Sequence, residues 1–274
     1  ARSVAAGQRI FEILDQVSSI VEKNDATNVK NLRGHIKFNN VFFKYKSTEN
    51  ILKNINFEIQ PGQFIAIVGG SGSGKTTLMH LLPRFYDISS GTITIDDIDV
   101  SDMTIASLRN NIGIVMQDTF TFSGTLKENI SYGSENAALP DIIKAAQFSE
   151  LHEYIDTLPE KYDSWVGERG ITLSGGQKQR LGIARTILTD PPILIFDDST
   201  SSVDTITEQK IHSTLSTIAK GKTTLVIAHR ISTVQQADTI IVMDNGSIVN
   251  TGTHDQLLNT DNLYRRIFEI QLNN

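Results

Sequence analysis

The chain has 274 residues, enough for one large domain or two small ones, and its 39% apolar and 20% charged content is ordinary for a soluble globular fold. Its 25 basic and 31 acidic residues give a net charge of −6, which argues against a broad basic surface for nucleic acid; the absence of cysteine excludes disulfides and thiolate metal sites. No apolar run reaches the ~18 residues of a membrane helix and no signal-peptide pattern is present, so the chain as given reads as soluble.

Residues 1 to about 24 set Val4, Ile10, Phe11, Leu14, Val17 and Val21 at helical spacing without a proline. This predicts an amphipathic helix whose partner lies elsewhere. Asn24 to Arg33 is polar and patternless and reads as a linker. From Gly34 the texture changes to strand, over Ile36 to Phe43 and Ile51 to Ile59, the second closing at Pro61-Gly62.

Phe64-Ile-Ala-Ile-Val68 is a buried strand, Leu78 to Leu82 suits a helix, and between them stands Gly69-x-x-x-x-Gly74-Lys75-Thr76-Thr77. Glycines let the backbone wrap an anion, so the amides of Gly70, Ser71, Gly72, Ser73, Gly74 and the opening helix, Thr77 included, converge on a nucleotide β-phosphate. Lys75 supplies a point charge to the β- and γ-phosphates, and the Thr76 hydroxyl is a ligand for Mg²⁺. A Gly/Ser linker would lack the flanking strand and helix.

Pro83 limits the helix that follows. Ser89-Ser-Gly91 turns the chain into a hairpin, Thr92 to Ile95 and Ile98 to Val100, around Asp96-Asp97. Ile112 to Met116 is a further buried strand, closed by Gln117. From Gly124 to about Ile187 the pattern is helical, opening on the capping box Thr125-Leu-Lys-Glu128, with Pro140 at a first helical position. Alternation resumes with the strand Pro192 to Phe196, a helix over about 207–219, and the strands Thr224 to Ile227 and Thr239 to Met243. A last helix opens on the capping box Thr253-His-Asp-Gln256 and runs toward Leu272. The predicted class is α/β: a P-loop NTPase core with a mainly parallel sheet, an N-terminal antiparallel β-subdomain and an inserted α-helical subdomain.

Ile193-Leu-Ile-Phe-Asp197-Asp198 ends a buried strand on two carboxylates, at the end of a parallel sheet where ligands bind. Asp197 then holds Mg²⁺ directly or through water, and Asp198 polarises the attacking water. A second anion-binding turn is Leu173-Ser174-Gly175-Gly176-Gln177, at the start of another helix.

With that pentapeptide the sequence resembles the nucleotide-binding domain of ABC transporters, from Gly34 to the last helix, with motifs in the family's order. The resemblance implies ATP and Mg²⁺ as ligands and a head-to-tail dimer in which Ser174, Gly175, Gly176 and Gln177 complete the site of a second such domain. It makes Tyr45 the aromatic that stacks on adenine, although alone Tyr45 reads as a packed strand residue. It makes Gln117 a sensor of Mg²⁺ and γ-phosphate, His229 a γ-phosphate contact, and Ser201-Ser-Val-Asp204 a loop that communicates between the two sites. Catalysis falls to Lys75, Asp198, Gln117 and His229, with Thr76, Gln117 and Asp197 around the metal.

Three stretches resemble the exporter branch: Phe120 to Ile130, Gly167-Glu-Arg-Gly170, and Gly7 to Leu14. The last is similar to the cytosolic continuation of an exporter's final membrane helix. Residues 1–33 are therefore expected to be a leading helix and linker from an upstream membrane domain, and 34–272 the nucleotide-binding domain, with its helical subdomain at about 124–187. The chain is expected to be an excised part of an exporter working at the cytoplasmic face of a membrane, with transmembrane domains as partners and no nucleic acid.

Two residues depart from the family pattern. Asp97 replaces a usual glycine, which Asp tolerates because it adopts the left-handed region. Asp198 stands where active members place glutamate, and the lost methylene withdraws the carboxylate by about 1.5 Å, one carbon–carbon bond. This resembles the degenerate half of heterodimeric exporters and favours a heterodimer over a homodimer. The alternative to a hydrolysing motor is thus a catalytically weak, ATP-gated dimerisation subunit.

Overall fold

The computed structural model describes residues 2–16, 18–46, 49–116, 119–134, 136–167, 171–197, 217–228 and 230–272. In chain order the elements are α1 (Arg2–Leu14), β1 (Ile36–Phe43), β2 (Leu52–Ile59), β3 (Phe64–Gly69), α2 (Lys75–Leu81), β4 (Ser90–Ile95), β5 (Ile98–Asp99), α3 (Ile105–Asn110) and β6 (Ile112–Val115). There follow β7 (Gly124–Thr125), α4 (Leu126–Ile130), α5 (Leu139–Phe148), α6 (His152–Asp156), β8 (Trp165–Val166) and α7 (Gly175–Thr189). The chain closes with β9 (Ile193–Asp197), β10 (Thr223–Ile227), α8 (Ile231–Val234), β11 (Thr239–Asp244), β12 (Ser247–Gly252), α9 (His254–Leu258) and α10 (Leu263–Leu272).

The central sheet has the order β12-β11-β3-β10-β9-β6, parallel except for β12. Its inner strands are buried on both faces, as β10 shows with every residue buried, because helices or the second sheet cover each side. That second sheet, β2-β1-β4-β5, is antiparallel. Its hairpin turn carries Asp96 and Asp97 at φ +50° and +66°, the left-handed pair that a two-residue turn between twisted strands demands. Between β6 and β9 the inserted subdomain has a core of its own, including Leu126, Ile130, Ile142, Leu151, Ile155 and Leu181. Helix α7 joins the halves, since Leu181 and Ala184 enter that core while Ile183 enters the one on the sheet. Thr125 makes the predicted capping box with Glu128, and Pro140 sits one position inside the start of α5 rather than at its first residue.

Three expectations change, and one strand is added. Helix α1 ends at Leu14, not near residue 24; beyond it Ser18 Oγ accepts from the Ile20 amide (3.2 Å), local bonding that competes with a helix. Residues 24–33 are docked rather than a free linker: Thr27 bridges Met103, and Val29 and Leu32 are buried. The stretch after Met243 turns into the additional strand β12. The last helix is two helices, because Asn262, 8% exposed, bonds Leu257 O through its Nδ2 (2.7 Å) and takes the Arg265 amide (3.0 Å), capping α10 afresh. Most of the helix expected over 207–219 lies outside the described residues, of which 217–219 are helical.

Candidate functional site

Strand β3 delivers its C-terminal end to the glycine loop, and α2 begins at Lys75. Gly69 passes so near β11 that a Cβ would lie 2.2 Å from Met243 O, and Gly74 caps α2 at φ +101° with Leu52 Cδ2 2.8 Å from where its Cβ would be. No side chain caps α2, so the first-turn amides face an anion site without a built-in acceptor. Beside them is a cavity of about 510 Å³ lined by Ser71, Gly72, Gly74, Lys75, Thr76, Thr77 and Asp197, with Ile51 and Ile227 as apolar walls.

Lys75, 7% exposed, folds back on the loop, donating from Nζ to Gly69 O (2.9 Å) and Gly70 O (2.8 Å). Burial holds its ammonium below the usual lysine range, and the Asp197 carboxylate partly offsets that shift. The polarity suits a phosphate, whose charge stabilises the ammonium that burial penalises. Thr76 and Asp197 line the same cavity, and a hydroxyl and a carboxylate are the hard oxygen donors that Mg²⁺ takes. Tyr45 stands at this end of the molecule, bonded through Oη to Thr77 Oγ1 (3.2 Å) and packed edge-on against Phe43 and Tyr86. Gly70 and Ser73 belong to the same loop, the Ser73 amide donating to Gly70 O (3.3 Å).

The second turn is organised differently. Ser174 Oγ accepts from the Gln177 amide (3.3 Å) and Gln177 Oε1 from the Ser174 amide (2.8 Å), a reciprocal cap that leaves Gly175 and Gly176 to open α7. None of Ser174 to Gln177 is among the described residues lining the first cavity. Gln117, Asp198, His229, the loop Ser201 to Asp204 and three of the four residues of Gly167 to Gly170 lie outside the described residues.

Two wall residues, Ile51 and Ile227, escape the sequence reading. Ile227 was within reach of it, since β10 pairs with β9 so that Ile227 stands beside Asp197. Ile51 carries no local signal. A second cavity of about 480 Å³, between α3, α7 and residues 132–134, is lined by Arg109, Tyr132 and Arg185 among others. Near it Phe120 and Tyr132 are exposed, and Phe122 stacks on Tyr132 at 4.0 Å.

Residues 52–201, more than half of the chain, match the family described as ABC transporter. The chain belongs to the ABC transporter family. This ABC transporter chain is 46% identical over 270 residues to an uncharacterized ABC transporter ATP-binding protein, YwjA, of Bacillus subtilis (strain 168), covering 98% of the chain and 47% of the relative. It is 44% identical over 270 residues to the ATP-dependent lipid A-core flippase of Syntrophus aciditrophicus (strain SB), covering 98% of the chain and 45% of that protein. Among solved structures it is similar to a bacterial Atm1-family ABC exporter with ATP bound, with a TM-score of 0.91 and 41% identity over 98% of this chain and 47% of that one. The chain spans about half the length of these relatives. Its fold is the ABC ATPase fold, an α/β P-loop architecture. Among the described residues no helix is long and apolar enough to cross a membrane.

Proposed function

We propose that this chain is the ATP-binding and ATP-hydrolysing motor domain of an ABC exporter, closing a head-to-tail dimer around Mg-ATP and reopening after hydrolysis. The observation that carries the reading is the cavity at the end of β3, β9 and β10, where the uncapped start of α2, Lys75, Thr76 and Asp197 meet. The loop amides and Lys75 bind and orient the β- and γ-phosphates, and Lys75 stabilises charge developing on the γ-phosphoryl oxygens. Thr76, Gln117 and Asp197 would hold Mg²⁺, which would neutralise phosphate charge. Asp198, Gln117 and His229 orient the attacking water, and Tyr45 offers its ring to adenine. Ser174 to Gln177 serve the site of a second nucleotide-binding domain.

The surface around Phe120, Phe122 and Tyr132 receives the transmembrane domains, and the assembly works at the cytoplasmic face of its membrane. Phosphate release by the concentrated protein, with Lys75→Ala as control, tests the motor reading. Hydrolysis at least tenfold above that control supports it. ATP binding without such hydrolysis favours the second reading, an ATP-gated dimerisation subunit.

One residue favours that second reading within a heterodimer: Asp198, with a carboxylate drawn back by one methylene from where a glutamate would hold it. A base out of hydrogen-bonding reach of its water loses most of its effect. Asp198→Glu should then raise hydrolysis at this chain's own site about tenfold or more. An unchanged rate would remove the reach argument.

A further inference from the structure

We infer that Arg84 is a positioning residue for the nucleotide site, clasping residues 20–27 to the end of α2 so that docking of this strap sets how tightly the loop 69–77 holds phosphate. The inference rests on the reading of that loop as the nucleotide site, which Lys75→Ala checks separately.

Arg84 lies just past α2, its amide donating to Leu81 O (3.0 Å), with φ at +53° and a side chain 6% exposed. A bulky residue rarely takes the left-handed region, and a guanidinium is rarely buried unless it is held on several sides. Here Nε donates to Asp87 Oδ1 (2.6 Å) and Nη2 to the backbone oxygen of Val21 (3.0 Å). One charge thus fixes the local loop and reaches a carbonyl far earlier in the chain.

The strap continues from that carbonyl to residues 102–105, which lead into α3. Glu22 Oε1 accepts from the Ile105 amide (2.9 Å), Lys23 pairs with Asp102, and the Thr27 amide donates to Asp102 O (2.7 Å) while Thr27 O accepts from the Thr104 amide (2.9 Å). Helix α3 returns to the same place, because Arg109 donates to Pro83 O (3.1 Å) and Arg84 O (2.9 Å) with its guanidinium over Phe85. Strap, α3 and residues 83–85 form a closed circuit around the end of α2. That helix is seven residues, roughly 10 Å, and is buried through Leu78, Met79 and Leu81, so it moves as one body. Its first residue is Lys75. A displacement at Arg84 is therefore felt at the phosphate site, although none of residues 20–27 is among the described residues lining its cavity.

The test uses the full 274-residue chain, titrated with a fluorescent ATP analogue and Mg²⁺ alongside amide hydrogen exchange. The combined variant Glu22→Ala, Lys23→Ala, Thr27→Pro releases the strap from its exposed side, and Arg84→Met removes the clasp at similar length. Both should weaken binding at least threefold at full stoichiometry, with faster exchange at Thr104 and Ile105 and within residues 76–81. Arg84→Lys should recover part of the loss. Lys23→Cys with Asp102→Cys, bridged by a reducible bis-thiosulfonate in a chain with no native cysteine, should return the Thr27→Pro protein toward wild-type affinity. The inference is overturned by wild-type affinity when Thr104 and Ile105 exchange quickly. No acceleration at those amides overturns it too, since the strap would then be held by other contacts. Reduced stoichiometry at unchanged affinity would mark Arg84 as merely structural. Binding that survives Lys75→Ala would instead strike at the nucleotide-site reading.

Discussion

Two glycine turns open two helices in this chain, and they are finished in opposite ways. The turn before α2 has no side-chain cap and leaves its amides to an external anion, whereas the turn before α7 caps itself through Ser174 and Gln177. An unmet amide at a helix start costs about 1–3 kcal/mol if it is also buried, so the first turn is built for an occupant. The second is stable alone and offers what remains, the two glycine amides and the face around them. The difference teaches that similar composition at two helix starts leaves one set of amides open to an external group and closes the other on its own side chains.

The largest perturbation of this contrast is Lys75→Ala, expected to weaken nucleotide binding about a hundredfold or more in a titration of the isolated chain. Gly74→Ala comes next. Its φ of +101° and the 2.8 Å approach of Leu52 predict a loss of about 1–3 kcal/mol, seen as a fall of several degrees in melting temperature together with weaker binding. Ser174→Ala should cost about 1 kcal/mol of helix cap and leave nucleotide affinity of the isolated chain unchanged, while lowering hydrolysis in the dimer. Equal losses of affinity from Ser174→Ala and Gly74→Ala would erase the contrast.

A smaller effect separates the two halves by pH. Burial pushes the Tyr162 phenol, in the helical subdomain, and the Tyr264 phenol, beside the central sheet, up from 10.0 to about 12. Each folded phenol keeps its proton where the unfolded one has lost it. The stability it contributes is complete below pH 10 and is lost as pH rises toward 12. Thermal melts between pH 9 and 11.5 should therefore steepen downward, less so for Tyr162→Phe or Tyr264→Phe, each variant reporting its own half.

Much of this was legible because the deciding physics is local. Asp96-Asp97 announced a left-handed hairpin, and Thr125, Ser174 and Thr253 announced helix starts by side chains that reach only to the third residue on. What escaped depends on partners far away in sequence. The docking of residues 24–33 needs Met103 and Thr104, and the break before α10 needs Asn262 to find Leu257 rather than continue an apolar spacing that looks uninterrupted. In the site, the glycine loop and Asp197 were readable from composition and strand context. The wall at Ile51 was not, because a side chain that merely borders a cavity leaves no pattern, whereas Ile227 follows only once β10 is paired with β9.

The hairpin between β11 and β12 has a consequence in time. The Gly246 amide donates to Ser73 O (3.2 Å), and Gly246 O accepts from the Lys53 amide (2.8 Å), so one late turn holds the phosphate loop to the antiparallel sheet. A growing chain therefore carries the whole motif long before it owns the clamp. Until residue 246 has emerged from the ribosome, the loop lacks part of what shapes it, and a nascent chain cut short before that point would be a poor trap for nucleotide. The clamp arrives late in synthesis, from the part of the chain least like a phosphate site.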